Sequence, residues 1–535
     1  MSSTDVMPEK RSKPSAWAPL AHPAFLILWL ATILSNVGTW MHDVGAGWLM
    51  TELAPSPVMV AAVQAATTLP VFLFALVAGA VADIIDRRRL LLVVNMFMGL
   101  VAACLALVVW LNAMTPALLL LFTFLLGAGA AFMAPAWQAI VPSLIPKPEL
   151  QAAIALNSMG INVSRAIGPA LAGFLIVAVG LWSPFALNAL SFVGIIAALI
   201  WWRPPATRTS KLPPEHVGSA VAVGLRHAAN SGPLRATLIR AAAFFTFASA
   251  LWAMLPLIAR DVLQGGPTLY GLILAAIGAG AVGGAILLPK IKDALGPDRL
   301  VAAGTVGTGA VLGVFALVPI SGVAIVAGLL AGASWIAVLS SLHVSAQTAL
   351  PEWVRARGLS IFLTVFFGAM SLGSLAWGSV AASFGVPTAL LIAAAGAALM
   401  IPLTWHSKLN QGAGLDHAPS LHWPAPPVVD SANDHHPVRI EIEYIVPQEN
   451  RQAFLDSVTA LGAARRRGGG YGWTVMEDAD QPGRFVESWS EVSWTQHLRH
   501  HERVSGEDRK RQNALRELLV DGEIPRVRHL LTPSR

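Results

Sequence analysis

The sequence predicts an all-α membrane fold of twelve spans in two groups of six, followed by a small soluble α+β domain. Three observations predict it. About a dozen apolar stretches of membrane-crossing length fill roughly the first 405 residues. Lys and Arg concentrate on alternate connections between them. Beyond about residue 436 the pattern changes to apolar/polar alternation mixed with amphipathic helix.

A run of about 20 apolar residues crosses lipid as a helix, because the bilayer offers no partner for an exposed N–H or C=O. The expected spans are 23–50, 58–82, 90–111, 116–141, 151–178, 184–202, 235–260, 267–289, 299–318, 322–349, 356–381 and 387–405. Lys10, Arg11 and Lys13 precede the first, Arg87, Arg88 and Arg89 follow the second, and Lys147 follows the fourth. Arg203, Arg208, Lys211, Arg226 and Arg235 lie between the sixth and seventh. Lys290, Lys292 and Arg299 follow the eighth, and Arg355 and Arg357 the tenth. The connections near Glu52, Asn112, Trp182, Ser321 and Pro387 hold neither, and the one near Asp261 holds only Arg260. Positive charge marks the cytoplasmic side, so both termini are expected there, in an inner cell membrane.

At 535 residues, 55% hydrophobic and 12% charged, the chain is not an ordinary soluble protein. Its net charge of +6 sits mainly in short loops, where orientation explains it, so no nucleic-acid partner is expected. Cys104 is the sole cysteine, which excludes an intrachain disulfide and a cysteine-based metal site. Residues 1–19 are polar and the next apolar run is long, so the first span is expected to act as an internal signal.

The expected organisation is a terminal segment (1–22), a first bundle (23–202), a central loop (203–234), a second bundle (235–405), an unstructured linker (406–436) and a soluble domain (437–535). Within the central loop, 215–230 reads as an amphipathic helix at the membrane surface, with Val217, Val221 and Leu225 on one face. Gln138-Ala-Ile-Val-Pro142 recurs as Gln347-Thr-Ala-Leu-Pro351, an echo between the halves of the kind that paired bundles leave. In the last segment, 438–446 alternates as a strand and 447–467 reads as a helix. Strands near 471–477 and 484–490, a helix from Trp494 and a strand near 525–531 complete a βαββαβ, ferredoxin-like order. Its uncovered face is expected to pair with a second copy, giving a homodimer.

Polar groups inside spans are the candidate working parts. Asn36, Trp40, Asp43 and Gly47 fall on one face of the first span. Arg165 sits mid-span, where a charge costs about 3 kcal/mol even on the lenient insertion scale. Asp43 and Arg165 are therefore expected to face a central cavity, with Asp43 and His42 linked to proton coupling and Asn162 nearby. The alternatives for Asp43 are hydration near the surface or a structural ion pair. His343 reads as a hydrogen-bonded packing residue. Gly278-Ala-Gly280-Ala-Val-Gly283 has dinucleotide spacing but sits inside a span with no preceding strand, so no nucleotide cofactor is expected. His497, His500 and His501 are spaced like helical metal ligands without an evident carboxylate; a solvated basic helix is the preferred reading.

Gly79-Ala-Val-Ala-Asp83-Ile-Ile-Asp86-Arg87-Arg88-Arg89 resembles the signature loop of the major facilitator superfamily, with Asp86 where many members have Gly. That resemblance implies a latch of Gly79, Asp83, Arg87 and Arg88 against span 11; plain orientation charge is the other reading. The run Gly160-Ile-Asn162-Val-Ser-Arg165-Ala-Ile-Gly168-Pro169 resembles the Gly-Pro motif of the superfamily's exporters, and implies a kink where the bundles rock. Simple helix packing is the alternative for the glycines. Ser35-Asn36-Val-Gly38-Thr39-Trp40-Met41 and Ala134-Pro135-Ala136-Trp137, with Leu150 and Asn157, look like the transmembrane secretion effector branch, related to exporters of the enterobactin-exporter type. The tail's Arg465-Arg466-Arg467, Trp473, Glu487-Ser-Trp489 and Trp494-Thr-Gln-His497 look like an antibiotic-biosynthesis-monooxygenase-like, dimeric α/β-barrel domain. Those side chains are read as a pocket or a dimer core. The implied function is proton-coupled efflux of a small siderophore- or drug-like molecule, not catalysis. Import, or a membrane-anchored oxygenase acting through the tail, are the alternatives.

Overall fold

The structure, a computed structural model, describes residues 15–203, 217–409, 414–416, 418, 420, 422–423, 436–520 and 525–531. Eleven of its helices are long and apolar enough to cross a bilayer. The first half consists of α1 (Pro23–Leu53), α2 (Pro57–Ile84), α3 (Arg87–Trp110), α4 (Pro116–Ile140), α5 (Leu150–Ala178) and α6 (Ser183–Trp201). A short α7 (Val217–Asn230) leads to α8 (Gly232–Leu257), α9 (Pro267–Leu317), α10 (Ser321–Thr348), α11 (Glu352–Phe384) and α12 (Val386–Leu403). Many of these helices open with Pro in the first turn, where its fixed φ is already helical and its missing N–H would have had no partner.

The eighth and ninth expected spans are the two arms of α9, a helix of 51 residues. Straight, it would run roughly 75 Å, far beyond the hydrocarbon thickness. It is interrupted at Gly296, whose φ of 71° and ψ of 167° no helix contains. The arms fold back there. Gly284 packs on Ala333 of α10 and Gly307 packs on the adjacent Ser334, although a turn of Gly296-Pro297 separates them along the chain. The second half begins at Gly232, slightly before the expected boundary. Instead of lying free at a surface, α7 packs between α11 and the tail helix α13 (Arg451–Gly468). Leu225 of its expected apolar face is exposed, whereas His227 and Ala228 are buried. The side chains of Val217 and Val221 and the proline-rich 204–216 lie outside the described residues.

The apolar core is distributed unevenly along the helices. At the end with few Lys or Arg, one cluster joins both halves, from Met41–Met50 side chains of α1 through Ala172, Met254, Tyr270 and Phe315 to Trp377 and Leu390. At the basic end there are two clusters. One, from Phe25 to Trp202, belongs to the first half, and the other, from Ala228 to Leu409, to the second.

The tail contains β1 (Val438–Ile445), α13, β2 (Tyr471–Glu477), β3 (Arg484–Glu491), α14 (Trp494–Arg503), α15 (Gly506–Arg516) and β4 (Arg526–Leu531). The sheet order is β2-β3-β1-β4, all antiparallel, the arrangement that the βαββαβ pattern anticipates. Where one second helix was expected there are two, because Ser505 starts α15 with a reciprocal capping box to Asp508. The expected unstructured linker is partly docked. Ser420 N–H donates to Val504 O at 2.8 Å, Ala418 O accepts from Gly506, and Trp423 packs on the tail core.

Candidate functional site between the helical halves

Helices from the two halves meet closely where small residues leave room for a neighbouring backbone. A Cβ on Gly47 of α1 would lie 2.9 Å from the Tyr270 hydroxyl of α9, and one on Gly173 of α5 would lie 2.7 Å from Pro267 O. On Gly378 of α11 it would lie 2.6 Å from Ala61 of α2. Arg260, the lone cation at this end, donates to Thr51 O across the seam. Lower down, Pro169 has no N–H, so the Arg165 carbonyl four residues earlier loses its helical donor. That carbonyl faces Gly278 of α9, where a Cβ would come within 2.9 Å. Two of the glycines with dinucleotide spacing are thus helix-contact residues, Gly278 receiving α5 and Gly280 receiving α10, while Gly283 faces open space.

Asp43 and Arg165 both sit at this seam but do not pair. The Arg165 guanidinium lies over the Trp40 ring, 5.2 Å from its centroid, and its Nε is buried without a hydrogen-bond partner. Asp43 is half-buried with no hydrogen bond or ion pair to a described residue, and Tyr270 of α9 packs one turn along the same helix, against Gly47. Of the readings for Asp43, a structural ion pair with Arg165 is not formed: Arg165 makes a cation–π contact with Trp40 instead. Tyr270 was not anticipated, since a tyrosine near a helix start carries no sequence signal of its partner. Asn36 is half-buried and Asn162 donates to Ser158 O of its own helix at 2.8 Å. His42 turns away from Asp43: it is buried edge-on to Phe185 of α6, so it belongs to the first half's interior. His343 bonds Gln347 at 2.9 Å and packs on Phe362, as expected.

The expected switch residues divide. Gly160 and Gly168 lie against Ile33 and Trp40 of α1, so they pack α5 within its own half, while Pro169 borders α9. Gly79 lies beside α11, with Ser360 Oγ 3.7 Å from a Cβ placed on it. Arg88 does not reach α11: it caps α6, donating from Nε to Leu199 O at 2.7 Å and from Nη2 to Ile200 O at 2.8 Å. Arg87 opens α3, and Asp86 caps that helix by accepting from Arg89 N–H at 2.8 Å, which gives this Asp a role a Gly would lack. The Asp83 side chain lies outside the described residues.

In the tail, Trp473, Glu487, Trp489, Trp494 and His497 all lie on the helix-covered side of the sheet, so they form an interior and not the uncovered face. Glu487 is fully buried and accepts from Tyr444 at 2.8 Å and from Trp473 Nε1 at 2.9 Å, with Arg465 Nε at 3.3 Å. Burial, and then the Glu487 charge, hold the Tyr444 phenol well above its ordinary range. Glu491, which the sequence did not single out, accepts from Trp489 Nε1 at 2.9 Å and lies 2.6 Å from His500 Nδ1 and 3.4 Å from His497 Nδ1. Burial opposes its charge, yet the two imidazoles outweigh burial and hold the carboxyl well below the usual range. The expected solvated helix is thus buried along its His497–His500 face, with the carboxylate that sequence spacing did not reveal. A cavity of about 140 Å³ lies among Trp423, Tyr444, Trp489, His497, His501 and His529. Contacts tying the tail to the membrane part include Arg466 Nε donating to Asn230 Oδ1 at 3.0 Å, Arg226 Nη1 donating to Gly469 O at 3.1 Å, and Arg503 over the Trp353 ring at 4.4 Å.

Comparison with known proteins bears on both parts. The transmembrane secretion effector family model matches residues 14–535. The enterobactin exporter of Citrobacter koseri is 27% identical over 345 residues, covering 63% of this chain and 80% of the relative. The enterobactin exporter of Escherichia coli is 28% identical over the same shares. Among solved structures, a bacterial homologue of the lysosomal transporter Spinster, inward-facing and unoccupied, superposes with a TM-score of 0.55 at 16% identity, covering 72% of this chain and 94% of that one. A POT family transporter in complex with a thioalcohol-conjugated peptide gives 0.59 at 12% identity, covering 71% and 95%. Full-length agreement with the family model, together with the paired helical halves, shows that this chain is a multi-pass membrane transporter of the major facilitator type and belongs to the transmembrane secretion effector family.

Proposed function

We propose that the chain is a secondary active exporter that exchanges protons for a small siderophore- or drug-like organic molecule by alternating access. It crosses an inner cell membrane twelve times, counting both arms of α9, with its termini in the cytoplasm. The observation that carries this reading is the core itself: one shared cluster at the end poor in Lys and Arg, two separate clusters at the basic end. Two halves that share one apolar core at one end and keep separate cores at the other have the geometry of bodies able to part at that second end, where α2 and α11 still touch through Gly79 and Ser360. By the positive-inside rule that end is cytoplasmic, where a solute for export is loaded. Asp43 and Arg165, left without ion-pair partners at the joined seam, are the groups available to a proton and to a polar solute. The names of the relatives support export and a catecholate siderophore as the first solute to try.

The test is uptake into inverted membrane vesicles. Accumulation of a catecholate siderophore or a fluorescent dye, collapsed by a protonophore, supports proton-driven export; accumulation only in right-side-out vesicles would make the protein an importer. One observation favours a second role for the tail: a cavity with an apolar wall of Trp423, Ile442 and Trp489 and polar groups from Tyr444 and His501 suits a small organic ligand or substrate. Pairing of two copies through the uncovered sheet face belongs to the same proposal. That face carries Arg484–Glu443 and Arg528–Glu443 ion pairs, so such a dimer would be polar and salt-sensitive.

A further inference from the structure

The three histidines spaced along α14 are not one cluster. His500 turns to Glu491, while His497 and His501, four residues apart on one helical face, are joined by His529 from β4. His529 pairs in register with Ile440 of the central strand, which directs it to the same interior. His497 Nε2 and His501 Nε2 lie 3.1 Å apart, and one ligand atom from each of the three rings falls within 4.8 Å of the others. We propose that His497, His501 and His529 form a binding site for a divalent transition-metal ion, with one coordination position open to the tail cavity.

Zinc–imidazole distances near 2.0–2.1 Å set tetrahedral ligand nitrogens about 3.4 Å apart. The 3.1 Å pair already meets that spacing, and the third ring needs a shift of about 1 Å. A supporting carboxylate lies beside the site: His497 Nδ1 is 3.4 Å from Glu491 Oε2, with no hydrogen bond yet between them, and Glu491 is fixed by Trp489 and His500. Closing that gap would leave Nε2 as the lone-pair donor, the arrangement that orients metal-binding histidines. Without a cation, two facing Nε2 atoms share a single proton. A metal satisfies both lone pairs. Three imidazoles without thiolate or first-shell carboxylate suit zinc, nickel, copper or iron(II), not magnesium or calcium. The cavity also presents Tyr444, Gln512 and Arg516, so a water or a small anionic chelator can occupy the remaining position.

The test uses full-length protein purified in detergent without a polyhistidine tag and titrated with cobalt(II). The expected result is one cobalt per chain with four-coordinate visible absorption, displaced by zinc. His501→Gln and His529→Gln, both at half-buried positions that tolerate an amide, each weaken binding at least tenfold, while His406→Gln, at an exposed position outside the tail fold, leaves it unchanged. Absence of stoichiometric cobalt binding overturns the site, as does binding that survives both variants with folded far-UV spectra. Solute transport plays no part in this readout, so it stands apart from the efflux test.

Discussion

Arg465 and Glu487 in the tail lie 3.3 Å apart, with Tyr444 and Trp473 donating to the same carboxylate and the guanidinium held between the Trp423 and Trp489 rings. Asp43 and Arg165 in the membrane part are half-buried, yet neither has an ion-pair partner among the described residues. The contrast separates two uses of buried charge. Where a buried carboxylate is met by a guanidinium, a phenol and an indole, charge fixes a structure and is costly to disturb, even with Arg465 Nη2 left without a hydrogen bond to a described residue. Where it is left unmatched at the seam between the halves, the proposed exchange cycle makes it available to a proton or a solute.

That comparison can be broken most forcefully in the tail. Arg465→Met leaves Glu487 charged and buried, and is expected to cost about 3–5 kcal/mol of tail stability, read by thermal melting or limited proteolysis. The double variant Arg465→Met with Glu487→Leu should recover most of that loss. If the single and double variants melt alike, the pair is not the matched unit described here. At the seam, Gly278→Val pushes a side chain into the Arg165 carbonyl and is expected to cost about 1–3 kcal/mol, with greater reactivity of cysteines placed along the α5–α9 contact.

A smaller effect is expected from Ser505→Ala, which removes the cap of α15 and should lower tail stability by about 1 kcal/mol. The smallest concerns pH. Burial opposes the Asp508 charge, but Arg467 at 3.1 Å and the Ser505 hydrogen bonds outweigh it and hold the carboxyl below its usual range. Its stabilisation is therefore complete above the unfolded value near about 3.9 and is lost as pH falls through the lower folded value. Melting from neutral to acid pH should show a shallower acid decline for Asp508→Asn than for the parent.

Much of the helical part was legible because apolar run length and loop charge are local signals. The α9 arms were found as separate spans from apolar run length and from Lys290, Lys292 and Arg299 between them, even though the helix runs almost through. Asp43, Trp40 and Arg165 were visible as polar residues at membrane depth, but their pairing was not. Which face of α5 meets α1 or α9 depends on packing that sequence spacing does not encode, and so Tyr270 and the Arg165–Trp40 stack were missed. The bonds of Arg88 to the end of α6 were missed for the same reason, since α6 ends beside it only in the folded bundle. In the tail, strand alternation gave the sheet, whereas Glu491 and His529 reach His497 through strand pairing across distant segments.

The central claim is that the unpartnered Asp43 carboxylate carries the proton exchanged for solute. It is tested by reconstituting Asp43→Asn in proteoliposomes and comparing accumulation driven by a pH gradient with solute–solute exchange in the same preparation. The account predicts that gradient-driven accumulation is lost while exchange persists. Accumulation equal to that of the parent protein would contradict it.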